Sequence, residues 1–186
     1  MIPGTLTTLT PATLPDRPNI YNWCFRSETS KYHSGADFSN GPIPTFEEFC
    51  EDYEDYYFTG SEIAKGRGFI IMFGEEAVGF ISYCSFHLKP FKSELDIWLN
   101  SEKYLGKGFG TDAIISLGDY LNKELGIKEL IMRPSNKNIN AIKSYKKAGF
   151  EEYDIPPSEY LLAEYVSVYG DGDYGVDETV LLIKKF

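Results

Sequence analysis

Apolar residues recur along this chain at two spacings, and the switches between them mark its elements. Ile114, Leu117, Leu121 and Leu125 repeat every three or four positions, the stripe of an amphipathic helix, and Gly126 stands where such a helix stops. Leu95, Ile97 and Leu99 instead alternate with Glu94, Asp96 and Trp98, the period of a strand with two unlike faces. Two more apolar, β-rich runs, 69–73 and 77–86, flank Gly74-Glu75-Glu76 and read as a hairpin. Upstream, Thr45 and Glu48 form a capping box, and Phe46, Phe49, Cys50 and Tyr53 keep helical spacing. They predict a helix over 45–57, ended by Gly60. Residues 6–10 are expected to form a first strand, 16–25 a first helix and 26–44 a loop rich in Ser, Gly, Asn and Pro. Downstream come a strand at 130–132 closed by Pro134, a helix over 138–148 stopped by Gly149, and closing strands at 150–154 and 179–183. The order describes a mixed α/β domain with a strand–turn–helix–strand–helix unit at its centre.

Composition narrows the class. A length of 186 residues with 42% apolar content suits one domain spanning 1–186 with its own core. No apolar run approaches the roughly 18 residues of a membrane helix, and the first ten residues lack the pattern of a secretory leader. Cys24, Cys50 and Cys84 are odd in number and share no metal-type spacing, and His33 and His87 stand alone. No metal site is expected, and the thiols read as reduced in a cytoplasmic protein. Asp and Glu total 28 against 18 Lys and Arg, a formal charge of −10. That balance argues against nucleic acid as a partner, because binding there requires neutralising phosphates. It suits a cationic small molecule, although solubility alone accounts for it equally.

Candidate chemistry centres on Leu105-Gly106-Lys107-Gly108-Phe109-Gly110-Thr111, between a strand and a helix. Glycines let a backbone approach a ligand, and the following helix offers unpaired N–H groups and a positive dipole end, so a pyrophosphate is the natural guest. A Walker A loop would need Ser or Thr after the lysine, and a dinucleotide fingerprint would need different glycine spacing; both fail here. A nucleotide-hydrolysing domain is disfavoured accordingly.

The same turn is followed by Arg133-Pro134-Ser135-Asn136-Lys137-Asn138-Ile139-Asn140-Ala141-Ile142-Lys143-Ser144-Tyr145-Lys146-Lys147-Ala148-Gly149-Phe150. Together the two segments resemble the paired signatures of the GNAT acetyltransferase superfamily, its Q/R-x-x-G-x-G/A pyrophosphate loop and its N-x-x-A-x-x-x-Y-x-x-x-G-F helix. The resemblance covers residues 68–154, with Leu105 standing where the family loop has Gln or Arg. Within the superfamily the chain is most similar to the aminoglycoside 6′-N-acetyltransferase-like branch. The likeness rests on 104–111, 134–136, 141–150 and the position of Asp96; the N-terminal 60 residues match loosely. The resemblance implies a single α/β (α+β) domain whose mixed central sheet is splayed at the cofactor site and flanked by helices. It implies acetyl-CoA as cofactor, and transfer of acetyl to a primary amine of a small cationic acceptor, such as an aminoglycoside 6′-amine, by a monomer or homodimer. Protein N-terminal or lysine acetylation, and a non-catalytic acyl-CoA sensor, are the alternatives.

Carried onto this sequence, the family pattern runs the pantetheine arm and carbonyl beside Ile97, Trp98 and Leu99. It sets the pyrophosphate on Leu105, Gly106, Lys107, Gly108, Phe109, Gly110 and Thr111, and brings Asn138, Ala141 and Tyr145 to the cofactor from the last helix. Asn138, Ala141, Ile142 and Tyr145 share one face of that helix. Tyr145 is the candidate acid for the leaving thiolate and Asp96 the candidate base, directly or through water. Taken by themselves, a core aromatic and a solvated strand carboxylate describe the same two positions. Glu47, Glu48, Glu51, Asp52, Glu54 and Asp55 could line an acceptor site, but a solvated acidic face is the commoner arrangement and the reading adopted. Segment 155–177 is expected to form a loop or hairpin near the acceptor.

Overall fold

The computed structural model describes residues 1–33 and 43–186. Eight strands among them build one sheet: β1 (Ile2–Pro3), β2 (Thr8–Pro11), β3 (Gly66–Phe73), β4 (Glu76–Cys84), β5 (Lys92–Leu99), β6 (Glu129–Met132), β7 (Glu151–Glu152) and β8 (Leu182–Lys185). They lie in the order β1-β2-β3-β4-β5-β6-β8-β7. Helices α1 (Arg17–Phe25), α2 (Ser30–His33), α3 (Phe46–Asp52) and α4 (Tyr56–Thr59) precede β3. Helix α5 (Phe109–Leu125) links β5 to β6, α6 (Ile139–Lys147) follows β6, and α7 (Val166–Tyr169) precedes β8.

All neighbouring strands are antiparallel except β5 and β6, which the α5 crossover makes parallel. Their pairing stops early. Lys92, Ser93 and Glu94 face Glu129, Leu130 and Ile131, after which β5 continues to Leu99 with that edge open. This is the splay expected from the resemblance.

Period-two alternation gives the sheet two different covers. On one face Phe69, Ile71, Ile81, Leu95, Leu130 and Leu182 meet the stripe of α5. That stripe buries Ile114, Leu117 and Leu121, each such burial contributing about 1.5–3 kcal/mol. On the other face Ile70, Phe80 and Trp98 pack beneath α1, α3 and α4, whose Ile20, Tyr21 and Phe49 are buried there. Further along, Ile131 and Ile183 are covered by Leu161 and Tyr160 of the C-terminal excursion. Between these two apolar patches β5 presents Glu94 and Asp96, which leaves a polar strip open on that face.

Several expected elements differ in extent. The helix expected over 45–57 is broken: α3 ends at Asp52, Tyr53 leaves helical geometry at φ −102° and ψ 72°, and α4 ends at Gly60. Tyr53 stacks on Phe49 one turn back, and its hydroxyl reaches Asp96. The loop expected over 26–44 contains α2, and its stretch 34–42 lies outside the described residues. Of the loop or hairpin expected over 155–177, the structure has the loop, made of short turns and α7. Of the last strand, Thr179 and Val180 bond to the turn at Ser135 and Pro134, so pairing with β6 begins only at Leu182. The cysteines are free thiols. No helix among the described residues is long and apolar enough to cross a membrane.

Candidate active site

The open edge of β5, the glycine turn and α6 wall a cavity of about 910 Å³. Gly106 and Gly108 take φ of 70° and 90°, values that strain any residue with a side chain, so the turn itself demands glycine at both positions. The first bond of α5 is Asp112 N–H to the Gly108 carbonyl at 2.9 Å. The amides of Phe109, Gly110 and Thr111 therefore have no helical partner, and they line the cavity at the positive end of a 17-residue helix. Thr111 and Ser144 share a hydroxyl hydrogen bond of 2.8 Å that ties α5 to α6. Lys143 and Lys147, one helical turn apart on α6, bring two cationic side chains to the same wall. Amides, dipole and lysines together fit the phosphates of a coenzyme A.

Every residue expected at the cofactor lines this cavity except Lys107, which is exposed at the turn: Ile97, Trp98, Leu99, Leu105, Gly106, Gly108, Phe109, Gly110, Thr111, Asn138, Ala141 and Tyr145. Asn138 caps α6, accepting from Ala141 N–H at 3.1 Å, and its amide donates to the Tyr32 carbonyl. Thr29 donates to the Leu99 carbonyl. Thr29 and Tyr32 thus join the wall from α2 and the turn before it, which nothing in the local sequence announced. Asn100 N–H bonds to Val78 in β4 at 3.0 Å; strand alternation then turns Trp98 toward β4 and the amides of Ile97 and Leu99 toward the open edge.

Asp96 is not on that wall. It faces the polar strip on the opposite side of the sheet, solvent-accessible, accepting a hydrogen bond from the Tyr53 hydroxyl. Tyr53 is itself held by Phe49, stacked at 4.8 Å, and edge-on by Phe80 and Trp98 at 5.9 and 5.8 Å. The surrounding walls partly desolvate the Asp96 carboxyl, which is the main reason its pKa is pushed up to about 6. Asp173 and Glu94 add to the rise, while the Tyr53 hydroxyl and the Ile97 amide oppose it. Asp173 is also pushed up, by desolvation first and then by Glu94, with Asp52 contributing. Tyr145 is pushed well above the usual phenol range by desolvation, then by Asp96 and Tyr174. It lines the cofactor cavity and lies within electrostatic reach of Asp96 and Tyr174, so it borders both sites.

Of the two residues singled out in the sequence, Tyr145 lines the cavity and Asp96 faces the polar strip. Sequence reasoning read the acidic run as solvated, and all six carboxylates are exposed; Asp52 nonetheless acts electrically on Asp173 and Tyr169. The aromatics at 53–58 were open to reading as cleft wall or as core, and Tyr53 reaches Asp96; Asp173 and Tyr174 carried no local signal.

Beside Asp96 lies a buried network. Arg133 donates through Nε and Nη2 to the two carboxylate oxygens of Glu94 at 2.7 and 2.9 Å, and through Nη1 to the Tyr169 carbonyl. His87 Nε2 lies 2.7 Å from Glu94 Oε2. Burial alone would raise the Glu94 pKa, but the Arg133 charge and the bonds from His87 and Arg133 hold it down to about 2. Through Tyr169 the network anchors α7, and with it the approach to Asp173 and Tyr174. Cys84, His87 and Glu94 bring potential ligand atoms within 4.8 Å of one another, a convergence the isolated histidines did not suggest. Arg133 occupies both Glu94 oxygens and burial keeps the Cys84 thiol protonated, so the cluster is organised as an ion-pair network.

The acetyltransferase (GNAT) domain matches residues 7–151. The chain is 27% identical over 146 residues to an aminoglycoside N(6′)-acetyltransferase type 1 of Klebsiella pneumoniae, covering 73% of this chain and 69% of that protein. Its fold is similar to AAC(6′)-Ib in complex with paromomycin and acetyl-CoA, with a TM-score of 0.68 at 20% identity over 96% of this chain and 93% of the other. It is also similar to RimL, a ribosomal L7/L12 alpha-N-protein acetyltransferase with coenzyme A, with a TM-score of 0.71 at 14% identity over 100% and 97%. Most of the chain is matched by the domain, and its glycine turn, splayed strands and Asn-Ala-Tyr helix enclose one cavity; the chain belongs to the GNAT family and is an acetyl-CoA-dependent N-acetyltransferase.

Proposed function

We propose that the acceptor is a small amine bearing several positive charges, of the aminoglycoside kind acetylated at its 6′-amine. The observation that carries this reading is the polar strip of β5, where Asp96 meets the Tyr53 hydroxyl and feels the charge of Asp173, which in turn feels Asp52. Like charges gathered in a cleft raise one another's pKa, and a polycation entering the cleft relieves that repulsion. A net charge of −10 draws such a ligand in. The 27% identity to an aminoglycoside enzyme supports the same class.

Bound acetyl-CoA supplies the activated acyl group and a thiolate leaving group. Asp96, with a pKa near 6, is ionised at neutral pH and takes a proton from the acceptor ammonium, directly or through water. The Leu99 amide at the open edge of β5 donates toward the acyl oxygen, where negative charge develops. Tyr145, held protonated, donates a hydrogen bond toward the sulfur. Its raised pKa favours sharing that proton over giving it up. Asp52 and Asp173 bind the remaining ammonium groups, and the α5 amides with Lys143 and Lys147 hold the phosphates.

The test is thiol release from acetyl-CoA across kanamycin-type aminoglycosides, polyamines and short peptides, with the acetylated nitrogen located by mass spectrometry. Acetylation of an aminosugar 6′-amine is the expected result. Turnover on polyamines alone would keep the polycation and remove the aminosugar, and turnover on peptide N-termini alone would overturn both. Acetyl-CoA binding with no turnover on any acceptor would favour the sensor.

A further inference from the structure

Asp112 lies in the first turn of α5, directly after the glycine turn, yet its carboxylate is engaged elsewhere. One oxygen accepts Thr5 N–H at 2.9 Å; the other accepts Leu6 N–H at 3.1 Å, Thr7 N–H at 2.8 Å and the Thr7 hydroxyl at 2.7 Å. Burial works against the charge, but these four donors outweigh it and hold the carboxyl below its usual range. A Gly4 N–H to Thr7 carbonyl bond of 2.8 Å closes a tight turn around the same carboxylate. Gly4 admits no side chain: a Cβ there would stand 2.4 Å from Asp112 Oδ2, 2.6 Å from Ser116 Oγ and 2.9 Å from the Thr7 carbonyl. Pairing of β1 with β2 fixes the segment from both sides.

The clasp brings Thr5 and Leu6 onto the wall of the cofactor cavity, next to Gly106, Gly108 and Phe109. Leu6 Cδ1 stands 3.3 Å from where a Cβ of Gly108 would be, so the side chain crosses the glycine turn directly. Even so, Leu6 is 47% exposed. An aliphatic side chain pinned over a polar cradle, half of it facing water, is placed to be covered by what the cradle holds.

We infer that residues 4–7 form a strap contributing to the acetyl-CoA site. Leu6 lies over the diphosphate end, and Asp112 is the positioning residue that holds the strap there. Covering the turn excludes water from it, which strengthens hydrogen bonds between the α5 amides and the phosphates. The inference rests on the cofactor assignment and is independent of the acceptor.

Calorimetric titration of CoA and the separate KM values for acetyl-CoA and acceptor test it, on Leu6→Ala, Leu6→Asp and Asp112→Asn. Leu6→Ala should raise the CoA Kd about threefold to tenfold, the scale of losing part of one apolar contact. Leu6→Asp should raise it further through repulsion, and Asp112→Asn about tenfold, with the acceptor KM moving less in each case. Hydrogen exchange over residues 2–10 should slow on CoA addition in the unaltered protein and slow less in Asp112→Asn. Wild-type CoA affinity in both Leu6 variants, with Asp112→Asn only melting earlier, would overturn the strap. Failure of the unaltered protein to bind CoA would overturn the cofactor assignment itself.

Discussion

The cofactor cavity and the acceptor cleft share β5 and Tyr145 but draw on different lengths of chain. Most of the cavity wall comes from one stretch, from Ile97 on β5 through the glycine turn to Lys147 on α6. Its binding groups are largely backbone: glycines with positive φ, unpartnered amides and a strand edge left open by the splay. The cleft takes Asp52 and Tyr53 from the end of α3, Asp96 from β5, Tyr145 from α6, and Asp173 and Tyr174 from the C-terminal excursion. Its groups are side chains, and their chemistry depends on how close the fold brings their charges. A site made of backbone is robust to side-chain change but not to a change in turn geometry; a site made of converging charges behaves the opposite way.

Substitutions should therefore divide between the two substrates. The largest effect is expected for Asp96→Asn. Loss of the base should lower kcat about 10²- to 10⁴-fold, while CoA titration stays unchanged because Asp96 is absent from the cavity wall. In the unaltered protein the base must be ionised, so kcat/KM should fall as pH drops through about 6, approaching about tenfold per unit below it. A flat profile between pH 5 and 7 would remove Asp96 from that role.

Tyr145→Phe comes next, at the residue where the sites meet. Removing only the hydroxyl should cut kcat about 10- to 100-fold with both KM values little changed. A change confined to one KM would instead make Tyr145 part of a single site.

Arg133→Met probes the cleft from a distance, by releasing Glu94 and the Tyr169 carbonyl together. It should raise the acceptor KM about tenfold, leave the acetyl-CoA KM within about twofold, and cost roughly 3–5 kcal/mol of unfolding free energy in urea, as broken buried pairs do. Equal rises in both KM values would show that the two regions are not separable.

Gly108→Ala tests the cavity in the mirror sense. At φ 90° a Cβ is strained by roughly 1–2 kcal/mol and approaches Leu6 at 3.3 Å. The acetyl-CoA KM should rise about fivefold and the acceptor KM hardly at all. The opposite split would contradict the assignment of the turn.

How much of this was legible follows from the same contrast. The glycine turn, the capped α6 and the stripe of α5 each depend on residues within a few positions of one another, and their expected positions match the structure closely. The alternation of β5 put Leu95, Ile97 and Leu99 on one face and Glu94, Asp96 and Trp98 on the other, as found. Local pattern misled where a distant contact overrode it. Tyr53 kept helical spacing and still bonds to Phe49, yet the helix stops there and its hydroxyl goes to Asp96 on β5. Residues 155–177, where no period was legible, form a loop whose Tyr160 and Leu161 pack on Ile131 and Ile183.

Taken alone, the sequence determined the family signature, the glycine turn and the residues able to hold a phosphate, because backbone φ, helix capping and strand alternation are set by near neighbours. Only the tertiary structure decided which carboxylates face one another, that Arg133 secures the segment carrying Asp173, and that Asp112 binds Thr5–Thr7 across more than a hundred residues. Electrostatic coupling and long-range hydrogen bonds depend on distances in space, and those exist only once the sheet has brought remote stretches of chain together.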